Sequence, residues 1–192
     1  MAKLLTLKHW QLFVLLFGLP IIIQVTGIVA VVSGKSPAIM IFSFPLVMIL
    51  FIGVYFGWIY SLATKLNNRL PGNAGMKLAR FKLFSLFPLA YIFLICLFMF
   101  GLFNNLWQVP GSPIKIFAII LPLHLFSIFC IFYCLHFTAK SLKIVELQRP
   151  VSFSDFAGEF VLMWFFPIGV WVIQPRVNRL FGGPVSPEIT DM

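Results

Sequence analysis

The chain has 192 residues, of which 61% are hydrophobic and only 10% are charged, with a formal net charge of +9. Soluble globular domains carry roughly a quarter of charged residues, so this composition excludes that class and indicates a protein of the lipid bilayer. A chain of this length has room for about four or five passes of roughly 20 apolar residues each. We therefore expect no sizeable catalytic domain outside the membrane.

The lysines and arginines lie in clusters directly beside apolar stretches. Such clusters are typical of contact with anionic lipid headgroups, and they argue against nucleic acid as a partner. All five acidic residues follow residue 140, so the apolar stretches before it contain no carboxylate. The three cysteines also lie within apolar stretches and are interpreted as packing residues. The sequence predicts no cofactor and no metal site.

Four apolar runs are each long enough for one transmembrane helix. The first follows two lysines, as the core of a secretory signal does, but it is longer than the 7–15 residues of a signal core and is predicted to remain a span. Gly- and Pro-containing turns join the first run to the second and the third to the fourth. The predicted fold is an all-α integral membrane protein with two antiparallel helical hairpins, its spans at 10–32, 38–62, 83–103 and 114–138 of a domain over 1–138.

A polar loop at 63–82 separates the two predicted hairpins. It has no anion and five cations, which are Lys65, Arg69, Lys77, Arg80 and Lys82. Lys and Arg collect on the cytoplasmic side of a membrane, so this loop predicts the orientation of the chain. With the N-terminus, the loop and everything after 139 inside, twelve of the fourteen Lys and Arg residues are cytoplasmic and only Lys35 and Lys115 lie outside. The sequence predicts that both termini are cytoplasmic.

The last apolar run, 160–173, is shorter than the others. Its 14 residues span about 21 Å as a helix, against about 30 Å for the hydrocarbon core. Pro167 and Gly169 interrupt the run. We predict a re-entrant or interfacial helix pair over 139–181 on the cytoplasmic side, with a short fifth span over 157–174 as the alternative.

The flanks of that run carry further signals. Ser152 and Ser154 are candidate N-caps of a helix that begins near Asp155. Residues 182–192 are predicted to be a disordered tail. Cations on both sides of the run are expected to contact anionic lipid headgroups, as are those of the loop; they are Lys140, Lys143, Arg149, Arg176 and Arg179.

Two short stretches near the C-terminus carry a resemblance. Residues 164–169 and 173–178, which read WFFPIG and IQPRVN, resemble the ending of small four-helix bacterial inner-membrane proteins of unknown activity. The resemblance implies a bacterial inner membrane and a four-helix body with a C-terminal helix on the cytoplasmic side. It implies no activity.

Small residues recur on one face of the second predicted helix. Gly53, Gly57 and Ser61 are spaced four residues apart, which allows the backbone of another helix to approach closely. One interpretation is an interface with a partner subunit or a second copy. The other is close packing within the monomer.

His124 is the one ionisable side chain deep within the four runs, and such a group is a functional candidate. Counted by helix rise from the inner boundary, His124 lies about 18–24 Å deep and Gln24 about 21 Å deep. We predict that the two side chains form an intramembrane polar pair, hydrogen-bonded directly or through water. A neutral structural histidine is favoured over a proton relay, because no carboxylate is near.

These features favour a non-enzymatic structural or accessory subunit of a larger bacterial membrane complex, with a membrane-protein partner or self-association through the second helix. The alternative is a small transporter or channel that uses His124. A third hypothesis is a membrane enzyme acting on lipid or quinone at the inner leaflet. Its candidate residues are His136, Glu146, Asp155 and Glu159.

Overall fold

The computed structural model describes residues 2–36, 38–71, 75–103 and 113–181, which contain helices and no strands. The predicted disordered tail at 182–192 lies outside the described residues. In chain order the elements are a 3₁₀ turn (Ala2–Leu5), α1 (His9–Phe13), a π-helical segment (Val14–Gly18), α2 (Leu19–Val32), α3 (Ala38–Asn67), α4 (Leu78–Phe103), α5 (Pro113–Leu147), α6 (Phe153–Trp164) and α7 (Phe166–Phe181).

Within the described ranges, four helices are long and apolar enough to cross a membrane. They are α3, α4, α5 and the continuous helix that α1, the π-helical segment and α2 form over His9–Val32. This confirms the predicted all-α class and the number of membrane-length helices. The chain is a multi-pass membrane protein.

The polar loop is shorter than the sequence predicts. Helix α3 continues to Asn67 and α4 begins at Leu78, so the helices take up both ends of the predicted loop at 63–82. Helix α5 likewise continues to Leu147, past the predicted end at 138. Ala, Leu, Lys and Arg are strong helix formers, and a helix satisfies its own backbone hydrogen bonds outside lipid as well as within it. The end of the bundle where these three extensions lie is called the basic end below.

Pro20 shapes the first long helix. Proline has no N–H, and its ring clashes with the carbonyl four residues earlier, here that of Leu16. The π-helical segment precedes it, and within this segment the N–H of Leu19 donates to the carbonyl of Val14, five residues back. Such a widened turn is a common way for a helix to absorb a local strain. The helix therefore continues through Pro20 to Val32.

The buried core lies at the basic end. It contains Trp58, Phe81, Leu142, Phe156 and Ile173, contributed by five different helices. The other half of the bundle exposes large apolar side chains along α2 and along the first half of α5. Because lipid tails are as apolar as these side chains, their exposure carries no penalty in a bilayer.

The two C-terminal helices pack on each other, with α6 also against α5 and α7 also against α1 and the 3₁₀ turn. They have 12 and 16 residues, so each is shorter than about 20 residues, the length that spans a membrane. Helix α6 begins at Phe153 with Ser152 as N-cap, two residues before the predicted start. A Cβ atom at Gly169 would lie 1.7 Å from the carbonyl oxygen of Leu162, so the two backbones touch near the turn.

Candidate functional site

A groove of about 540 Å³ lies between α3 and α4. Its lining is apolar apart from Tyr60, Lys82 and Ser85, and it consists of Gly53, Phe56, Gly57 and Tyr60 from α3 and Lys82, Ser85, Leu86 and Leu89 from α4. Apart from the neighbouring turns of α3 itself, no atom of the described residues lies within 4 Å of the position that a Cβ on Gly53 would occupy. The groove is therefore open at Gly53, where the backbone of α3 is directly accessible.

The predicted small-residue face is covered by other residues at some positions and open at another. A Cβ on Gly57 would meet the side chain of Leu4 at 3.3 Å, so the N-terminal turn already packs here. Ser61 is buried, and its hydroxyl donates to the carbonyl of Gly57. Gly53, one turn earlier, has no such cover. Internal packing thus accounts for Gly57 and Ser61, but it leaves Gly53 open.

Gln24 and His124 have different partners. The hydroxyl of Ser43 donates to Oε1 of Gln24 at 3.4 Å, whereas Nδ1 of His124 lies 3.2 Å from the hydroxyl of Tyr91. Gln24 therefore joins α2 to α3, and His124 joins α5 to α4. The hydrogen bonds of the described residues include none directly between Gln24 and His124. Their pairing through water stays a prediction.

An apolar cavity of about 180 Å³ adjoins His124, and residues of α3, α4 and α5 form its walls. Tyr91, Cys96 and Ser127 contribute to the lining along with His124. No carboxylate of the described residues lines this cavity. The arrangement is an imidazole beside a phenol in apolar surroundings.

A network of ion pairs joins α5, α6 and α7 at the basic end. The guanidinium of Arg176 donates to Glu146 and, at 2.8 Å, to Glu159, which also accepts from Lys143 at 2.9 Å. The Glu159 side chain is only 8% exposed. A carboxylate buried to this extent is stable as an anion only when it is paired and hydrogen-bonded. Lys143 and Arg176 supply both kinds of contact to Glu159.

The ionisation of this network follows from its geometry. The hydrogen bond to Glu146 is the main reason that the pKa of Arg176 is raised. Burial by itself raises the pKa of Glu159, but hydrogen bonds from Arg176 and Lys143 outweigh it and hold this pKa below its ordinary value. Arg176 and Glu159 are therefore both charged at neutral pH.

A second, exposed contact marks the start of α6. The backbone N–H of Ser152 donates to Asp155 at 2.8 Å and its hydroxyl donates at 2.9 Å, and Arg149 lies 3.4 Å from the same carboxylate. These contacts, the backbone hydrogen bond first, lower the pKa of Asp155. Asp155 therefore acts as the partner of the N-cap residue.

The candidate residues of the membrane-enzyme hypothesis are not gathered into one site. Glu146 and Glu159 meet through Arg176, and Asp155 has its own partners at the start of α6. The ring of His136 contacts the ring of Phe156, with 5.1 Å between the ring centroids. The structure thus gives each of these carboxylates a cation partner and gives the histidine an aromatic one.

The remaining cations lie at several places around the basic end. Lys65 and Arg69 lie over the ring of Phe181, and Arg69 donates to the carbonyl of Leu180, which ties the end of α3 to the end of α7. Lys82 lines the groove and Arg179 is exposed on α7. Lys77, Arg80 and Lys140 line a separate pocket together with His136.

Gln174 is a central residue that sequence reasoning missed. It is 0% exposed, accepts a hydrogen bond from the indole N–H of Trp58 at 2.8 Å, and directs its own N–H groups at the carbonyls of Leu5 and Leu7. Asn178 also donates to the carbonyl of Leu7. These contacts hold the N-terminal segment between α3 and α7. The sequence feature that could have indicated this role is an amide side chain at the end of an otherwise apolar stretch.

Comparison of the chain with protein-family models, with curated proteins and with solved structures finds no significant match. The resemblance of residues 164–169 and 173–178 to bacterial inner-membrane proteins therefore stays a prediction.

Proposed function

We propose that this chain is a non-enzymatic structural or accessory subunit of a larger complex in a bacterial inner membrane. A transmembrane helix of a partner lies in the groove between α3 and α4. The observation that supports this most directly is the open backbone at Gly53 in the wall of a groove of about 540 Å³.

The chemistry of the groove suits a helix as its occupant. Helices in lipid associate through close packing, and glycine at the contact lets two backbones approach. Leu86 and Leu89 offer apolar surface on the α4 wall of the groove. The chain's own N-terminal turn reaches Gly57 but not Gly53, so that part of the groove is left for another chain.

The proposal includes the orientation of the chain in the membrane. Lysines and arginines collect at the basic end, which supports a cytoplasmic location for that end and for both termini. The first and second long helices pack together, as do α4 and α5, which supports the two predicted hairpins.

We further infer that α6 and α7 form a re-entrant pair in the inner leaflet. Neither helix is long enough to span a membrane, and the turn between them exposes Phe165 and Ile168 at 58% and 64%. The Glu159 and Arg176 network lies away from that apolar turn, at the middle of α6 and in the second half of α7. This polarity suits a hairpin whose tip enters lipid and whose charged ends stay at the headgroups.

No observation favours the transporter hypothesis to the same degree. Proton-coupled carriers use membrane-embedded ionisable groups that pair with one another. The partner of His124 is the hydroxyl of Tyr91, and among the described residues that line the adjoining cavity there is no carboxylate.

The test is recovery of the complex in mild detergent, followed by mass spectrometry of the intact assembly. We expect the wild type to elute with a membrane protein in fixed stoichiometry. Gly53→Leu fills the open part of the groove and is expected to weaken this association by at least about tenfold, which corresponds to 1.4 kcal/mol. Ala118→Leu adds the same kind of side chain at an exposed position on α5 and is expected to keep the partner.

Two results would contradict the proposal. If the wild type elutes alone in mild detergent, the chain is not a stable subunit. If Gly53→Leu elutes as a folded, monodisperse protein that retains its partner, the groove is not the interface.

A further inference from the structure

A basic pocket of about 170 Å³ lies at the basic end between the start of α4 and the second half of α5. Lys77 and Arg80 line it from α4 and the residue before that helix, and His136 and Lys140 line it from α5. Tyr133 and Phe137 complete the α5 side. Gly75, at a φ of +63°, turns the chain into the left-handed conformation that glycine favours, and this turn forms another part of the wall.

Within the part of the chain that the structure describes, no carboxylate pairs with the cations of this pocket. The ion pairs among the described residues involve Lys143, Arg149 and Arg176, and none of them involves a residue of the pocket. No carboxylate of the described residues lines the pocket. Like charges in one small space repel each other, so this arrangement is stabilised when an anion enters it. The nearby Arg176 network shows the contrast, because there each cation has a carboxylate.

The donors and the size of the pocket restrict the anion. A guanidinium presents a fork of N–H groups that matches two oxygens of a phosphate, and lysine adds a compact charge. A volume of about 170 Å³ corresponds to about six water molecules at roughly 30 Å³ each. The space therefore suits one tetrahedral phosphate.

We propose that the basic pocket binds one phosphate group. Arg80 binds it through two guanidinium N–H groups, Lys77 and Lys140 supply ammonium charges, and His136 donates from a ring nitrogen. The phosphate belongs to an anionic phospholipid headgroup or to a soluble phosphate, and the same side chains recognise either. Tyr133 and Phe137 offer apolar contact for the rest of a lipid ligand.

The experiment uses the full chain in nanodiscs of phosphatidylcholine. One arm measures binding of inorganic phosphate by equilibrium dialysis. The other arm adds phosphatidylglycerol and counts the lipid molecules retained on the protein by native mass spectrometry. We expect saturable binding of one ligand in at least one arm.

Arg80→Gln is compared with Lys82→Gln, because both remove one positive charge from the same turn of α4 and only Arg80 lines the pocket. Loss of a charged hydrogen bond is expected to weaken binding about tenfold in Arg80→Gln, and Arg80→Lys should recover part of it. Lys82→Gln is expected to change binding less than about twofold. Lys140→Gln, on the opposite wall, should repeat the loss if Arg80→Gln fails to fold.

Each outcome decides the proposal. Retention of phosphatidylglycerol without phosphate binding supports the pocket with a lipid ligand, and binding of inorganic phosphate supports it with a soluble ligand. The proposal is overturned if neither ligand binds. It is also overturned if the Arg80 and Lys82 variants lose affinity equally, because the attraction is then a property of the whole charged surface.

Discussion

Gln174 shows how much a single polar side chain contributes in this protein. Its amide accepts from Trp58 and donates towards the carbonyls of Leu5 and Leu7, all away from solvent. Buried polar groups are inexpensive only while they are hydrogen-bonded, and the cost appears when one partner is removed. The residue therefore matters through the groups that it satisfies on two other segments.

We expect Gln174→Leu to lower the free energy of unfolding by about 1–3 kcal/mol or more, because the Trp58 N–H loses its acceptor and buried carbonyls lose a donor. The measurement is reversible unfolding in mixed micelles, followed by tryptophan fluorescence. Gln24→Leu is the control, since the half-buried amide of Gln24 accepts only one long hydrogen bond, from Ser43. Equal losses in the free energy of unfolding of the two variants would show that the contacts of Gln174 stabilise the fold no more than the single hydrogen bond of Gln24 does.

At the scale of elements, the pairing of α6 with α7 depends on two kinds of contact. Phe166, next to the turn, is buried among the rings of Phe17, Phe51 and Tyr55. The hydroxyl of Tyr55 donates to the carbonyl of Met163 at 2.8 Å, which satisfies one of the last carbonyls of α6. The pair is thereby attached to α3 and to the first long helix as well as to α5.

One glycine in each of the two helices allows a matched test of how closely the backbones of α6 and α7 approach each other. Gly169→Ala would place a Cβ against the carbonyl oxygen of Leu162, and we expect a loss of about 3 kcal/mol, at the upper end of overpacking effects. Gly158→Ala meets nothing within 4 Å and should stabilise α6 by about 0.5–1 kcal/mol. Thermal unfolding in detergent measures both. If Gly169→Ala is neutral, the two backbones do not approach as closely as the structure shows.

At the scale of the whole molecule, the bundle has two unlike halves. The basic end contains the buried core, the ion-pair network and the Gln174 contacts. The opposite half exposes apolar side chains such as Ile22 and Ile119, at 62% and 66%. Packing that is dense at one end and leaves apolar side chains exposed at the other suits a chain whose exposed half contacts lipid.

Cysteine labelling in intact cells tests the orientation of the two halves. Ser36 and Asn68 are exposed at opposite ends of α3 and its flanks, while Cys96, Cys130 and Cys134 are buried. We expect an impermeant maleimide to label Ser36→Cys from outside and to label Asn68→Cys only after the membrane is permeabilised. Labelling of Asn68→Cys alone in intact cells would reverse the orientation.

The amino-acid sequence by itself determined the helical class and the four membrane-length helices, because the cost of burying backbone and charge in lipid is a local property of each segment. It also indicated the N-cap at Ser152. It did not give the partners of side chains that lie far apart along the chain. The pairing of Gln24 with Ser43 instead of His124, the ion pairs of Glu159 and the contacts of Gln174 depend on which helices face each other.

The same distinction applies to the sites. Hydropathy and charge placed the cations at one end, but only the tertiary structure separated those neutralised by carboxylates from those that line the basic pocket. The spacing of Gly53 and Gly57 indicated a close contact, and only the fold decided that the N-terminal turn covers one glycine and leaves the other open. Local hydropathy and residue spacing determine which environment each segment can occupy. The neighbour that each segment contacts is determined by how all the helices pack together.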